Sequence, residues 1–98
     1  MTRNLEEIKN IVAPIAENHR VTKLYLFGSR AKGTNTDESD YDFVISKGDI
    51  TSFISYMAFI HALEDALGTH VDVVTDTSDD PAFLDSIKKD EILLYERL

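Results

Sequence analysis

Apolar residues repeat along this chain at two periods that alternate, and this alternation limits the fold more than any other feature. Leu5, Ile8, Ile11, Val12 and Ile15 recur with helical spacing behind Asn4 and Glu7, which fit a capping box. Val21 to Phe27 then reads as a strand, and YDFVI, Tyr41 to Ile45, as a second one built of β-branched and aromatic residues. A longer helix follows, capped by Asp49 or Thr51. Its stripe of Phe53, Ile54, Met57, Ile60, Ala62, Leu63 and Leu67 is expected to be core, with part free to meet a partner helix, and Gly68 stops it. HVDVVT is a third strand, AFLDSIKK a short helix, and EILLYERL a terminal strand or helical turn. Pro14 removes a backbone donor inside the first helix and crowds the preceding turn, so a kink or break is expected there. Strands interleaved with helices predict an α/β (α+β) architecture, a small mixed sheet flanked by helices.

With 98 residues the chain is expected to form one domain, 1–98, leaving no room for a second that would hold a substrate. A net charge of -8 argues against direct binding of nucleic acid, which rests on clusters of Lys and Arg; acids suit divalent cations or a basic partner protein instead. The absence of cysteine excludes disulfides and thiolate metal sites. MTRNLEEIKN lacks the apolar centre of a signal peptide, and no apolar run nears the roughly 18 residues of a membrane span, so no membrane association and a cytoplasmic location are expected.

The chemistry concentrates in FGSRAKGTNTDESDYDFVI, Phe27 to Ile45. Side chains at i and i+2 of a strand share a face, so Asp40 and Asp42 project together with Tyr41 on the other side. Two carboxylates this close repel, unless one holds a proton or a cation lies between them, and hard oxygen ligands suit Mg²⁺ or Mn²⁺. Asp72 interrupts the β-branched run of the third strand with another charge; if that strand lies alongside, it completes a site for two ions. Ser29 can cap a short helical turn through Lys32. Gly28 lets backbone approach a ligand, Ser29 and the free N–H groups of the turn attract phosphate, and Arg30 can add bidentate positive charge. His19, His61 and His70 show no mutual metal spacing and read as surface or packing residues. TDTSDD, Thr75 to Asp80, lacks the glycine and the Glu of a calcium loop and reads as a solvated loop before Pro81.

Phe27-Gly28-Ser29, a loop, and Asp40-Tyr41-Asp42-Phe43 together resemble the signature of the polymerase β-type nucleotidyltransferase superfamily. GSRAKG followed by SDYDFVI is similar more narrowly to the minimal nucleotidyltransferases, or MNT proteins. Tyr41 is bulkier than the usual aliphatic residue, and Lys32 stands where Arg is frequent. The resemblance implies the fold of that superfamily, two Mg²⁺ ions (Mn²⁺ being possible) on Asp40, Asp42 and Asp72, and ATP held at Gly28, Ser29 and Arg30. It further implies transfer of AMP to a tyrosine of a HEPN-type toxin for which the protein is the antitoxin, the two forming a hetero-oligomer. One alternative is an antitoxin that neutralises by binding alone; another is transfer to a small molecule such as an aminoglycoside, whose enzymes carry an additional helical domain.

Overall fold

The computed structural model describes residues 4–50, 52–77 and 81–97. Helix α1 spans Leu5–Asn18, and its start is the predicted capping box: Asn4 Oδ1 accepts the Glu7 N–H at 2.8 Å while Glu7 Oε1 accepts the Asn4 N–H at 3.3 Å. The helix runs unbroken through Pro14. That residue is exposed, so the Asn10 carbonyl whose partner it removes also faces water, and the buried Ile8, Val12 and Ala16 on the opposite side hold both halves to the core.

Strand β1, Lys23–Phe27, begins two residues later than predicted and is followed by the single turn α2, Ser29–Lys32. Strand β2, Tyr41–Ser46, leads to helix α3, Phe53–Leu67. Its cap is Ser52, whose Oγ accepts the Ser55 N–H at 3.1 Å, in place of the expected Asp49 or of Thr51, which lies outside the described residues. Strand β3 is Val71–Thr75, helix α4 Pro81–Lys88 and strand β4 Ile92–Glu96. EILLYERL therefore contributes a strand: it gives β1 a ladder on its free edge and sends Leu94 into the core. The TDTSDD segment lies partly outside the described residues.

The four strands form one mixed sheet in the order β3-β2-β1-β4. β1 runs antiparallel to β2 and β4, while β2 and β3 are parallel, the pairing that needs a long crossover, here α3. Alternation along the strands divides the apolar residues between two faces. Leu24, Leu26, Tyr41, Phe43, Ile45 and Val71 join the larger core beneath α1 and α3; Phe27, Val44 and Val74 join a smaller one with Phe83, Leu84 and Ile87 of α4. Of the expected α3 stripe only Leu63 and Leu67 are buried, together with Phe59, which it did not include, while Met57, Ile60 and Ala62 are half-buried. Phe53 and Ile54, 76% and 81% exposed, stand in the first turn where no described element covers them. Among the described residues no helix is long and apolar enough to cross a membrane.

Candidate active site

Parallel pairing sets Tyr41 opposite Val71 and Asp42 opposite Asp72. Since successive side chains alternate, the two carboxylates share the face that carries Val44 and Val74, while Tyr41 and Val71 enter the larger core. Asp40 and His70 each stand one residue ahead of their strands, and the Tyr41 N–H donates to the His70 carbonyl at 3.3 Å. Two i, i+2 pairs, Asp40/Asp42 and His70/Asp72, are thus laid side by side.

The electrostatics follow from this placement. Burial, then the negative charges of Asp72 and Asp40 and a hydrogen bond shared with Asp72, push the Asp42 carboxyl above the usual carboxylate range, against a smaller opposing effect of His70. His70 Nε2 lies 2.9 Å from Asp72 Oδ1, and that hydrogen bond, followed by the Asp72 charge, raises the imidazole above its ordinary value. His70 Nδ1 lies 3.3 Å from Glu64 Oε2.

The glycine turn comes directly against this cluster. Gly28, at φ 76° and ψ −156°, adopts a conformation that side-chain-bearing residues rarely take, and a Cβ built on it would collide with Asp42 Oδ2. It is Gly28 rather than Ser29 that caps α2, by backbone alone: its carbonyl accepts the N–H groups of Ala31 and Lys32, each at 3.1 Å. Ser29 follows as the first helical residue, partly exposed.

Arg30 turns the other way. It is 7% exposed; Nε and Nη2 donate to the Ser39 carbonyl at 3.1 and 2.7 Å, Nη2 also reaches the Asp37 carbonyl at 3.5 Å, and Cζ lies 3.9 Å from the centre of the Tyr41 ring. The guanidinium thereby ties the loop entering Asp40 to the glycine turn. Arg30→Ala should lower unfolding stability by about 2–3 kcal/mol, because it removes a buried charged group's hydrogen bonds to the loop and uncovers the Tyr41 ring. Arg30→Lys should restore little of this, since an ammonium lacks the planar fork, and chemical denaturation measures both.

Of the residues singled out from sequence, the structure gathers Asp40, Asp42, Asp72 and Gly28, sets Ser29 beside them, and commits two Arg30 nitrogens to loop carbonyls. His70, set aside from sequence as a surface or packing residue, stands in the cluster, and Glu64 behind it was not singled out. The signal for His70 was present: it precedes Asp72 by two in a strand, the same spacing that singled out Asp40 and Asp42.

A divalent cation fits this arrangement. Candidate ligand atoms of Asp40, His70 and Asp72 lie within 4.8 Å of one another, Asp42 stands opposite Asp72 across the paired strands, and a cation would relieve the repulsion that adds to burial in raising the Asp42 carboxyl. A cavity of about 680 Å³ lies elsewhere, between the start of α1 and α2, lined by Leu5, Ile8, Arg30 and Lys32 among others.

The family model for polymerase beta nucleotidyltransferases matches residues 6–98. This chain belongs to that nucleotidyltransferase family. A candidate protein adenylyltransferase of Methanocaldococcus jannaschii is 33% identical over 89 residues, 91% of this nucleotidyltransferase and 96% of the relative. Among solved structures, a toxin–antitoxin complex with AMP-PNP superposes with a TM-score of 0.77 at 23% identity, covering 91% of this nucleotidyltransferase and 73% of that chain. A tri-AMPylated Shewanella oneidensis HEPN toxin in complex with MNT antitoxin superposes with a TM-score of 0.72 at 19% identity, covering 95% and 73%. These two likenesses establish the nucleotidyltransferase fold, with its mixed sheet and flanking helices.

Proposed function

We propose that this nucleotidyltransferase moves AMP from ATP to a hydroxyl of a partner protein, a tyrosine of a HEPN-type toxin, and acts in the cytoplasm as that toxin's antitoxin. The observation that carries the reading is the in-register meeting of Asp42 and Asp72, with Asp40 beside them and the Gly28 turn packed against Asp42. The names of the relative and of the neighbouring complexes support the choice of AMP and of a toxin as acceptor.

In this reading the tyrosine oxygen bonds to the α-phosphorus of ATP, the bond from that phosphorus to the α,β-bridging oxygen breaks, and pyrophosphate leaves. Asp40, Asp42 and Asp72 would hold two Mg²⁺, or Mn²⁺, ions, which would supply positive charge to the reacting phosphate and its acceptor. The Asp72 side chain, 54% exposed on edge strand β3, is open to a macromolecular hydroxyl and accepts its proton. Gly28 offers backbone, and Ser29 a hydroxyl, to the leaving phosphates. Arg30 acts through the loop it anchors, keeping Asp40 and the turn in one frame.

The test is incubation with ATP labelled at the α-phosphate, Mg²⁺ and the toxin. Label should appear on the toxin and depend on the divalent ion. Neutralisation with no label on the toxin would instead mean that binding alone suffices.

A further inference from the structure

His70 lies at the edge of the carboxylate cluster with both ring nitrogens engaged. Nε2 is 2.9 Å from Asp72 Oδ1, and an Asp40 oxygen completes with these two a group within 4.8 Å. Adjacent ligands of an octahedral ion at roughly 2.1 Å stand about 3 Å from one another, so a cation that displaces the proton shared by Nε2 and Oδ1 finds the two atoms at the spacing of neighbouring ligands. The other nitrogen, Nδ1, faces Glu64 Oε2 at 3.3 Å.

Glu64 is itself fixed. Its Oε2 accepts the Val71 N–H at 3.2 Å, and its carbonyl accepts the Gly68 N–H at 2.8 Å where α3 ends, so helix and strand together hold the carboxylate behind the ring. A histidine that ligates a metal characteristically passes its second N–H to a carboxylate, which sets the tautomer and aims the free nitrogen at the ion. Glu64, His70 and the aspartate pair have that order.

We infer that His70 Nε2 is a ligand of the metal centre, oriented by Glu64, and that this nitrogen biases the centre toward Mn²⁺ over Mg²⁺. The inference rests on the metal-centre reading above. Mg²⁺ favours an all-oxygen shell, whereas imidazole strengthens binding of first-row transition ions, so one nitrogen among oxygens shifts the ratio of affinities without abolishing either.

The experiment uses the full chain and Mn²⁺ alone. Pulsed electron paramagnetic resonance of the bound ion should show nitrogen-14 modulation, which His70→Gln should remove. Titration calorimetry should find the Mn²⁺-to-Mg²⁺ affinity ratio about tenfold lower in His70→Gln. Mn²⁺ that binds through Asp42, being lost in Asp42→Asn, but shows no nitrogen modulation in the parent protein, overturns the inference and leaves the centre standing. An unchanged ratio in His70→Gln does the same. Mn²⁺ binding unaffected by Asp42→Asn overturns the centre itself.

Discussion

Asp42→Asn is expected to lose AMP transfer by about 10³-fold or more while melting a few degrees higher than the parent protein in EDTA. The two effects share one cause. Burial denies Asp42 full solvation, Asp72 is its direct partner across parallel strands, and Asp40 adds a third negative charge. Like charges placed opposite each other in a sheet cost roughly 0.2–1 kcal/mol, which an amide removes. A domain of this size converts that into a few degrees of melting temperature. The same amide is a poor ligand for the cation on which phosphoryl chemistry depends, and a 10³-fold loss corresponds to about 4 kcal/mol of transition-state stabilisation. Mg²⁺ should therefore raise the melting temperature of the parent but not of the variant. Because the folded-state value of Asp42 is raised, its cost is present at neutral pH and fades as pH falls toward the unfolded carboxylate value of about 4. The difference in stability should close over that range. Calorimetry and the labelled-transfer assay measure both arms; transfer within tenfold of the parent would remove Asp42 from the centre.

Gly28→Ala is the second large effect. The added methyl group meets the Asp42 carboxylate, and the backbone conformation, with φ at 76°, is strained for any residue with a side chain. Such strain costs on the order of 1–3 kcal/mol, and the collision must be relieved by moving either the turn or Asp42. Since a displacement of about 1 Å at reacting groups costs roughly 100-fold in rate, transfer should fall by that order even at temperatures well below melting. Ser29→Ala leaves the backbone intact and serves as the comparison. If Gly28→Ala were to retain transfer at the level of Ser29→Ala, close approach of the turn would have no catalytic importance.

Much of this molecule is legible locally. Helical and strand periods, the Asn4–Glu7 box and the projection of Asp40 with Asp42 depend on residues within a few positions of one another, where backbone geometry alone decides what faces what. The outcome differs wherever an alternative of similar local merit exists, as with Ser52 in place of Asp49 at the start of α3. It differs also where a partner must come from far along the chain. Arg30 has the charge and position of a phosphate ligand, yet two of its nitrogens go to the Asp37 and Ser39 carbonyls and its plane covers Tyr41. Phe53 and Ile54 continue an apolar stripe that buries its other end, and their exposure depends on whether any element lies opposite.

The sequence by itself determined the elements up to α4, the glycine turn and the first carboxylate pair, because these arise from short-range sterics and strand alternation, while EILLYERL became a strand only by pairing with β1. Only the tertiary structure decided that β3 lies parallel to β2 with Asp72 beside Asp42, bringing His70 and Glu64 to the same cluster. Register between strands separated by a helix is chosen by burying Phe43, Val71 and Leu63 together, and that choice belongs to the packed core as a whole.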